Sequence, residues 1–125
     1  MAEAMLEHVN LAVADPDESA AFYARLFDWK VRWQGADQDG RKAVHVGGEN
    51  TYLSLYGPSA GEGVKQAEYG TPLHHIAVVV DDLDETEAKL KRADIETFGH
   101  GSYEPGRRFY FFDPNGIEFE VVSYR

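Results

Sequence analysis

The 125-residue sequence contains no cysteine, which excludes a disulfide framework and any metal site built from thiolates. It also has no apolar run near the roughly 18 residues that a membrane-spanning helix requires. Its amino terminus lacks the basic and then apolar segments of a signal peptide. We therefore expect a cytoplasmic protein without a membrane as partner.

Basic residues are scarce as well. Lysine and arginine together number 12, against 22 aspartates and glutamates, so the formal net charge is −10. Such a chain repels the phosphates of nucleic acids, and we expect no nucleic-acid partner. What the sequence does have is a hydrophobic content of 43%, which is enough for one globular domain with a buried core.

One motif occurs twice in the chain. HVNLAVADPDES begins at His8 and HIAVVVDDLDET begins at His75, an offset of 67 positions, and eight of the twelve aligned pairs are identical or similar. In each copy, alternating apolar residues predict a strand. The aspartate that follows, Asp15 or Asp82, has a glutamate three residues later, which predicts the N-cap of a helix.

The rest of each half follows the same plan. The sequence predicts helices over residues 16–28 and 83–93, and three strand-like segments follow each helix. Residues 58–71 are rich in glycine and proline and are typical of a linker. We therefore expect an α+β fold of two βαβββ modules, approximately residues 5–57 and 72–125, with a mostly antiparallel sheet in each.

Several chemically active side chains are predicted on one face of these sheets. The apolar residues of each first strand must face the helix, so His8 and His75 face away from it. The same alternation in the last strand, IEFEVVSYR, places Glu120 on that far face. Glu118 shares the face without an assigned role, and His74 is expected on the helix side at the strand entry. Because the two far-face histidines are equivalent positions of one repeated motif, a functional role is favoured over a purely structural one.

The segments HVNLAVADPDESAAFY, HHIAVVVDDLD and FYFFDPNGIEFE resemble the vicinal oxygen chelate superfamily. This superfamily includes glyoxalase I, extradiol dioxygenases, fosfomycin-resistance transferases, methylmalonyl-CoA epimerase and bleomycin-binding proteins. The resemblance covers essentially the whole chain. It implies a glyoxalase-like fold whose curved sheets surround a metal-binding trough, with His8, His75 and Glu120 as metal ligands.

The resemblance places a fourth ligand position near Ser54, where glyoxalase I and the epimerase have Glu or Gln. Serine is a poor ligand for a divalent ion near neutral pH, so the sequence departs from the glyoxalase I pattern. Two histidines and one carboxylate instead match the facial triad of non-haem Fe(II) oxygenases, which leaves coordination positions open. Fe²⁺ is therefore the favoured cofactor, and Mn²⁺, Zn²⁺ or Ni²⁺ could occupy the same ligands.

The end of the chain, from Phe109 to Glu120, also resembles the extradiol dioxygenase signature. By this resemblance, His100 would act as a general acid or base and Tyr110 would donate a hydrogen bond to the substrate. The spacing between the two is one residue longer than the signature has. The alternative is that His100 is a loop residue and Tyr110 a core aromatic residue.

Other residues could contact a substrate. Tyr52, Ser54 and Tyr56 share a strand face and are expected to line the pocket. Arg107 and Arg108 could hold an acidic substrate group, or could form a solvated pair in a loop. His45 and Trp33 receive no assignment.

These features favour a metal-dependent enzyme acting on a small molecule that chelates the metal through two adjacent oxygens. An extradiol-type dioxygenase is the first choice. The alternatives are a lyase or isomerase, a thiol transferase, and a non-catalytic antibiotic-binding protein of the bleomycin-resistance type. The resemblance also implies a homodimer in which His8 of one chain joins His75 and Glu120 of the other.

Overall fold

The computed structural model describes residues 3–36, 40–57, 72–103 and 106–125. These residues form two compact units, one on each side of the gap at 58–71. The expected linker coincides with that gap and lies outside the described residues. Within the described ranges, each unit has one helix and four strands.

The first unit begins with one strand and one helix and continues with three strands. Their bounds are β1 (His8–Ala12), α1 (Pro16–Phe27), β2 (Lys30–Ala36), β3 (Lys42–Gly47) and β4 (Tyr52–Tyr56). The strands are arranged in the order β1-β4-β3-β2. Strand β1 runs parallel to β4, whereas the other neighbouring pairs are antiparallel.

The second unit repeats this plan. Its elements are β5 (Ile76–Val79), α2 (Leu83–Arg92), β6 (Thr97–Tyr103), β7 (Gly106–Phe112) and β8 (Glu118–Ser123). The strand order is β5-β8-β7-β6, again with one parallel pair, β5 with β8. The α+β class and the mostly antiparallel sheets predicted from the sequence are thus confirmed, and both helices end one residue before the predicted position.

Both helices start at the predicted aspartate caps. The Asp15 carboxylate accepts hydrogen bonds from the backbone N–H groups of Asp17 and Glu18, at 3.1 and 3.3 Å. The Asp82 carboxylate accepts one from the N–H of Glu85 at 3.0 Å. These bonds satisfy N–H groups that have no partner within the helix, which is worth about 1 kcal/mol for each cap.

Each helix covers one face of its own sheet. In the second unit, strands β7 and β8 contribute the buried residues Phe109, Phe111, Phe119 and Val121 to this core. Helix α2 packs on β6 and β8 with its buried residue Leu90. The opposite face of the sheet carries the residues between these positions, and it is therefore the face on which polar side chains can lie.

The turn between β7 and β8 aligns the last strand. The buried Asp113 carboxylate accepts hydrogen bonds from the backbone N–H groups of Asn115 and Ile117, at 2.9 and 2.8 Å. Gly116 has a φ of 81°, which glycine adopts without the strain that a side chain would introduce. The DPNG segment thereby determines the register in which Glu118 pairs with Phe112 and Glu120 with Tyr110.

Neither of the two described helices has the length and the apolar character needed to cross a lipid bilayer.

Candidate functional site

The second unit brings two of the predicted metal ligands together. His75 immediately precedes β5 and Glu120 lies on the adjacent strand β8. His75 Nε2 is 3.2 Å from Glu120 Oε1. The Glu120 residue is only 7% exposed, whereas the His75 side chain is 31% exposed. The pair therefore combines an oriented, buried carboxylate with an imidazole that solvent can reach.

Arg108 holds the other oxygen of the same carboxylate. Its Nη1 donates a hydrogen bond to Glu120 Oε2 at 2.8 Å, and both side chains are largely buried. A charge-assisted bond of this kind orients the carboxylate strongly. Arg108 lies on β7, not in a loop as one reading of the sequence expected. Its role as a substrate contact stays a prediction.

Arg107, the adjacent residue on β7, points elsewhere. Its guanidinium forms two hydrogen bonds to the Asp84 carboxylate at the start of α2, at 3.2 and 3.4 Å. Both side chains are exposed. Because neighbouring strand residues face opposite sides of a sheet, the two arginines cannot hold the same substrate group from these positions.

Tyr110 packs beside the candidate ligands. Its ring meets the His75 imidazole edge-on, with the centroids 5.6 Å apart, and the ring of Phe98 stacks on it. Gly99 permits this packing, since a Cβ at that position would lie 2.7 Å from Tyr110 Cδ1. Tyr110 is thus on the ligand face and not in the core under α2. Its role as a hydrogen-bond donor stays a prediction.

His100 lies on the opposite side of the sheet. Its Nε2 is 2.6 Å from Glu87 Oε2 on α2, and its ring lies against Phe109 in the core face. Thr97 also donates a hydrogen bond to Glu87 Oε2. The hydrogen bond from Thr97 is the main cause of a lowered pKa of Glu87, and the bond to His100 lowers this pKa further. Partial burial acts in the opposite direction but is outweighed. An acid–base role for His100 stays a prediction, and it would require the imidazole to leave Glu87.

The expectation that His74 faces the helix is wrong. His74 Nδ1 lies 2.8 Å from His75 Nδ1, and it is also 3.8 Å from Glu118 Oε2, on the ligand face. Strand β5 begins only at Ile76, so the alternation of side chains does not extend back to His74. Glu118, to which the sequence assigned no role, lies beside both histidines, and its side chain is only 15% exposed.

In the first unit, Glu7 orients His8. His8 Nδ1 is 2.9 Å from Glu7 Oε1, and the hydroxyl of Tyr52 donates to the same oxygen at 3.1 Å. These two hydrogen bonds, that of His8 first, lower the pKa of the Glu7 carboxyl. An ionised carboxylate can only accept, so Nδ1 carries the hydrogen and the lone pair of a neutral His8 ring resides on Nε2. Nε2 is therefore the atom of His8 suited to bind a cation.

The His8 ring also stacks on other rings. Tyr52 lies between His8 and His45, with centroid separations of 4.9 and 4.6 Å, and Trp33 follows His45 at 4.9 Å. The guanidinium of Arg32 lies 4.5 Å from the centroid of the Tyr52 ring. The pKa of the His45 imidazole is lowered, first by burial and then by repulsion from His8 and Arg32. This imidazole is therefore neutral near pH 7.

An open pocket of about 560 Å³ adjoins this stack within the first unit. It is lined by Asn10, Trp33, Ala43, His45, Ser54 and Tyr56. Two of the predicted pocket residues, Ser54 and Tyr56, are therefore beside a cavity, and Tyr52 lies next to it in the ring stack. The sequence reasoning missed His45, although His45 alternates with buried Val44 and Val46 and so must face away from α1.

The donor set in the second unit fits a divalent ion. Imidazole nitrogen and carboxylate oxygen bind Zn²⁺, Fe²⁺ and Mn²⁺. Two ligand atoms at right angles around an ion with bonds of about 2.1 Å lie about 3 Å apart, and His75 Nε2 and Glu120 Oε1 are 3.2 Å apart. The hydrogen bond from Arg108 occupies Oε2 and not the oxygen that faces His75.

Known structures share this fold. A glyoxylase/bleomycin resistance protein/dioxygenase domain from Frankia sp. EAN1pec superposes with a TM-score of 0.83 at 24% identity, over 99% of this chain and 100% of that one. The glyoxalase family protein from Enterococcus faecalis gives a TM-score of 0.75 at 18% identity, over 94% and 96% of the two chains. The fosfomycin resistance protein FosX from Listeria monocytogenes, in complex with Mn(II) and sulfate, gives 0.72 at 20% identity, over 98% and 93%. At these identities the similarity establishes the fold alone.

No curated protein sequence matches the chain. The model of one sequence family does match, and it covers residues 5–121, nearly the full length. The match includes both copies of the internal motif and all three candidate ligands. The chain therefore belongs to the Glyoxalase/Bleomycin resistance protein/Dioxygenase superfamily.

Proposed function

We propose that the protein is a metal-dependent enzyme whose small-molecule substrate chelates a divalent ion through two adjacent oxygens. The observation that carries this proposal is the separation of 3.2 Å between His75 Nε2 and Glu120 Oε1 on the sheet face not covered by α2. FosX, a member of the same structural group, contains Mn(II) in its crystal structure, which supports a divalent ion as the cofactor.

His8 is the third ligand in this proposal. Its hydrogen bond to Glu7 leaves the lone pair on Nε2. We place His8 of one chain with His75 and Glu120 of the other, in a homodimer. When bound, the ion would act as a Lewis acid and as a template for the substrate oxygens. Fe²⁺ is the first choice of ion because three such ligands leave positions open.

The other residues bind and orient the substrate. Tyr110, packed against His75, would donate a hydrogen bond to a substrate oxygen. Ser54 and Tyr56 line the pocket of the first unit, where the rings of Trp33 and His45 offer flat apolar surface. This lining suits a planar aromatic substrate, and a catechol is the simplest molecule that adds two adjacent oxygens to such a ring.

Extradiol-type ring cleavage is accordingly the reaction that we propose first. It would require a group that removes a proton from the catechol, and the sequence offers His100 for that role. The contact between His100 and Glu87 holds the imidazole on α2, so the proposal includes a movement of His100 away from α2 during turnover. Lyase, isomerase or thiol-transferase chemistry at the same ligands would not require this movement.

The metal content of the protein tests the proposal. Protein purified without chelators and loaded with Mn²⁺ is expected to contain one Mn²⁺ per chain, and His8→Ala and His75→Ala variants are expected to lose it. His100→Ala provides the matched control, because it also removes an imidazole but is expected to retain the ion. Wild-type protein that remains free of metal after incubation with Fe²⁺, Mn²⁺ and Zn²⁺ would refute the proposal.

Activity tests the reaction. Fe²⁺-loaded protein is expected to consume O₂ with at least one catechol, and Tyr110→Phe and His100→Ala are expected to lower kcat while the metal content stays constant. Absence of turnover over a range of catechols would exclude the dioxygenase and would leave the other reactions at the same metal site.

One observation favours a second candidate, a non-catalytic binding protein. Arg108 already neutralises Glu120, so this carboxylate is stable without an ion. In that case the pocket beside Trp33 would bind a drug-like molecule directly. Quenching of tryptophan fluorescence by bleomycin in metal-free wild-type protein, with no such quenching in Trp33→Leu, would support this candidate.

A further inference from the structure

A second group of potential ligands lies next to the pair formed by His75 and Glu120. It consists of His74, His75 and Glu118, whose ligand atoms all lie within 4.8 Å of one another. The Nδ1 atoms of the two histidines are 2.8 Å apart. Glu118 Oε2 lies 3.8 Å from His74 Nδ1 and 4.0 Å from His75 Nδ1. We call this group the Nδ1 cluster.

The three distances match the size of one small cation. A triangle with sides of 2.8, 3.8 and 4.0 Å has a circumradius of about 2.1 Å, which is the usual bond length from Zn²⁺ to an imidazole nitrogen or a carboxylate oxygen. An ion near the centre of the triangle would therefore lie within bonding distance of all three atoms, and a small shift of the exposed histidines would convert the planar arrangement into a tetrahedral one.

The surroundings favour entry of a cation. The side chains of His74 and His75 are 37% and 31% exposed, so an ion can approach from solvent, while that of Glu118 is only 15% exposed. Two neutral imidazoles and one carboxylate are typical zinc ligands, with water completing a tetrahedral shell. The formal net charge of −10 raises the local concentration of cations around the molecule.

We propose that the Nδ1 cluster is a second cation site, suited to Zn²⁺, which competes with the first site for His75. The existence of this site is independent of the proposed function, whereas the competition rests on it. A neutral imidazole has one lone pair, on Nδ1 or on Nε2. When Nδ1 binds an ion in the cluster, Nε2 carries the hydrogen and donates to Glu120. His75 then no longer serves the first site, so excess zinc would inhibit the enzyme.

Zinc titration in a background without the first site tests the cluster. In a His8→Ala/Glu120→Gln variant, calorimetry is expected to show one Zn²⁺ per chain. Adding either His74→Ala or Glu118→Gln is expected to weaken that binding at least tenfold. Glu96→Gln in the same background is the control for the loss of an exposed carboxylate and is expected to leave the affinity unchanged. Circular dichroism verifies that each variant is folded, and His8→Ala alone replaces the background if the double variant does not fold.

The outcomes separate this proposal from the proposed function. No zinc binding in the background variant, or equal binding after His74→Ala and Glu118→Gln, would overturn the cluster as a site. Two zinc ions bound to one wild-type chain would overturn the competition for His75. A failure of the proposed function would instead appear as equal Mn²⁺ binding by wild type and by the His8→Ala/Glu120→Gln background, while the background still binds Zn²⁺ and loses it when His74→Ala is added.

Discussion

At the scale of single residues, Glu7 is the group that makes His8 a competent ligand. Its carboxylate accepts from His8 Nδ1 at 2.9 Å, so it determines the tautomer and the orientation of the ring. Removal of such an outer partner typically lowers metal affinity by about 10- to 100-fold. We therefore expect Glu7→Ala to weaken Mn²⁺ binding by about tenfold or more in calorimetry, without a loss of stoichiometry.

Glu3→Ala is the control, because it removes an equal charge from the same exposed segment. Glu7→Gln, which keeps an acceptor oxygen, is expected to lie between wild type and Glu7→Ala. Unchanged affinity in all three variants would show that Glu7 does not orient a metal ligand.

Arg108 gives a second prediction, concerning stability. It pairs with Glu120 at 2.8 Å, and both side chains are largely buried. Arg108→Met leaves that carboxylate without its cation, which is expected to lower the free energy of unfolding of the metal-free protein by about 3 kcal/mol. A divalent ion bound to Glu120 would replace the lost positive charge. We expect Mn²⁺ to raise the melting temperature of Arg108→Met more than that of wild type.

Arg107→Met is the matched control for this experiment. Arg107 pairs with Asp84 in an exposed salt bridge, and such pairs are worth about 0 to 1 kcal/mol. The response of Arg107→Met to Mn²⁺ should therefore equal that of wild type. An equal response of Arg108→Met would mean that the ion does not bind at Glu120.

At the scale of elements, sequence alternation predicts side-chain direction well inside a regular strand. It identified the helix-facing residues Phe119 and Val121, which are fully buried, and the opposite direction of Glu120. It failed for His74, because β5 begins only at Ile76. A turn such as DPNG could be predicted because each of its residues has a local role, whereas the start of a strand depends on pairing with β8, a distant segment.

The β6 strand shows a second limit of the sequence. Regular alternation would place His100 on the same face as Phe98. The pairing with β7 shifts between Phe98 and Gly101, and Gly99 has a φ of 65°. This bulge turns His100 toward α2 and Glu87. At the bulge, the Tyr110 ring lies so close to Gly99 that a Cβ there would be 2.7 Å from Tyr110 Cδ1. This is a contact between two strands, which one sequence segment cannot reveal.

The contacts of Glu87 connect α2 to β6 and predict a pH effect. The pKa of Glu87 is lowered below the usual 4.5, chiefly by the Thr97 hydrogen bond and then by His100. A lowered pKa in the folded state means that the stabilisation is complete above about pH 4.5 and is lost as the pH falls through the lowered value. We expect Glu87→Gln to reduce the free energy of unfolding by about 1 kcal/mol at pH 7.

At pH 3 and below, the carboxyl of wild type approaches the neutral state of the amide, so the difference between the two proteins should shrink. Urea unfolding of wild type and Glu87→Gln at pH 7 and at pH 3 measures this difference in the free energy of unfolding. Glu96→Gln, at an exposed position beyond the helix, should match wild type throughout. A constant difference between wild type and Glu87→Gln from pH 7 to pH 3 would contradict the assigned cause.

At the scale of the whole molecule, the two units divide the candidate ligands between them. His8 is in the first unit, and His75 and Glu120 are in the second. Alternation in the sequence predicts that the side chains of all three point away from the helix-covered face of their own sheets, although His75 lies one residue before β5. Whether a unit shares a metal site with the other unit of its own chain or with a unit of a second chain depends on the assembly. No local pattern in the sequence encodes this choice. The proposed homodimer therefore needs a test of its own.

Mixing two inactive variants tests whether a site is shared between chains. His8→Ala and His75→Ala each damage both sites of a symmetric homodimer. In a mixed dimer, one site receives both substitutions and the other receives none, because each chain contributes a different part to each site. Random exchange makes half of the dimers mixed, so about one quarter of the wild-type metal content and activity is expected to return. Light scattering should give about twice the chain mass of 14.0 kDa before and after mixing. Recovery near zero in mixtures that have verifiably exchanged subunits would mean that all three ligands belong to one chain.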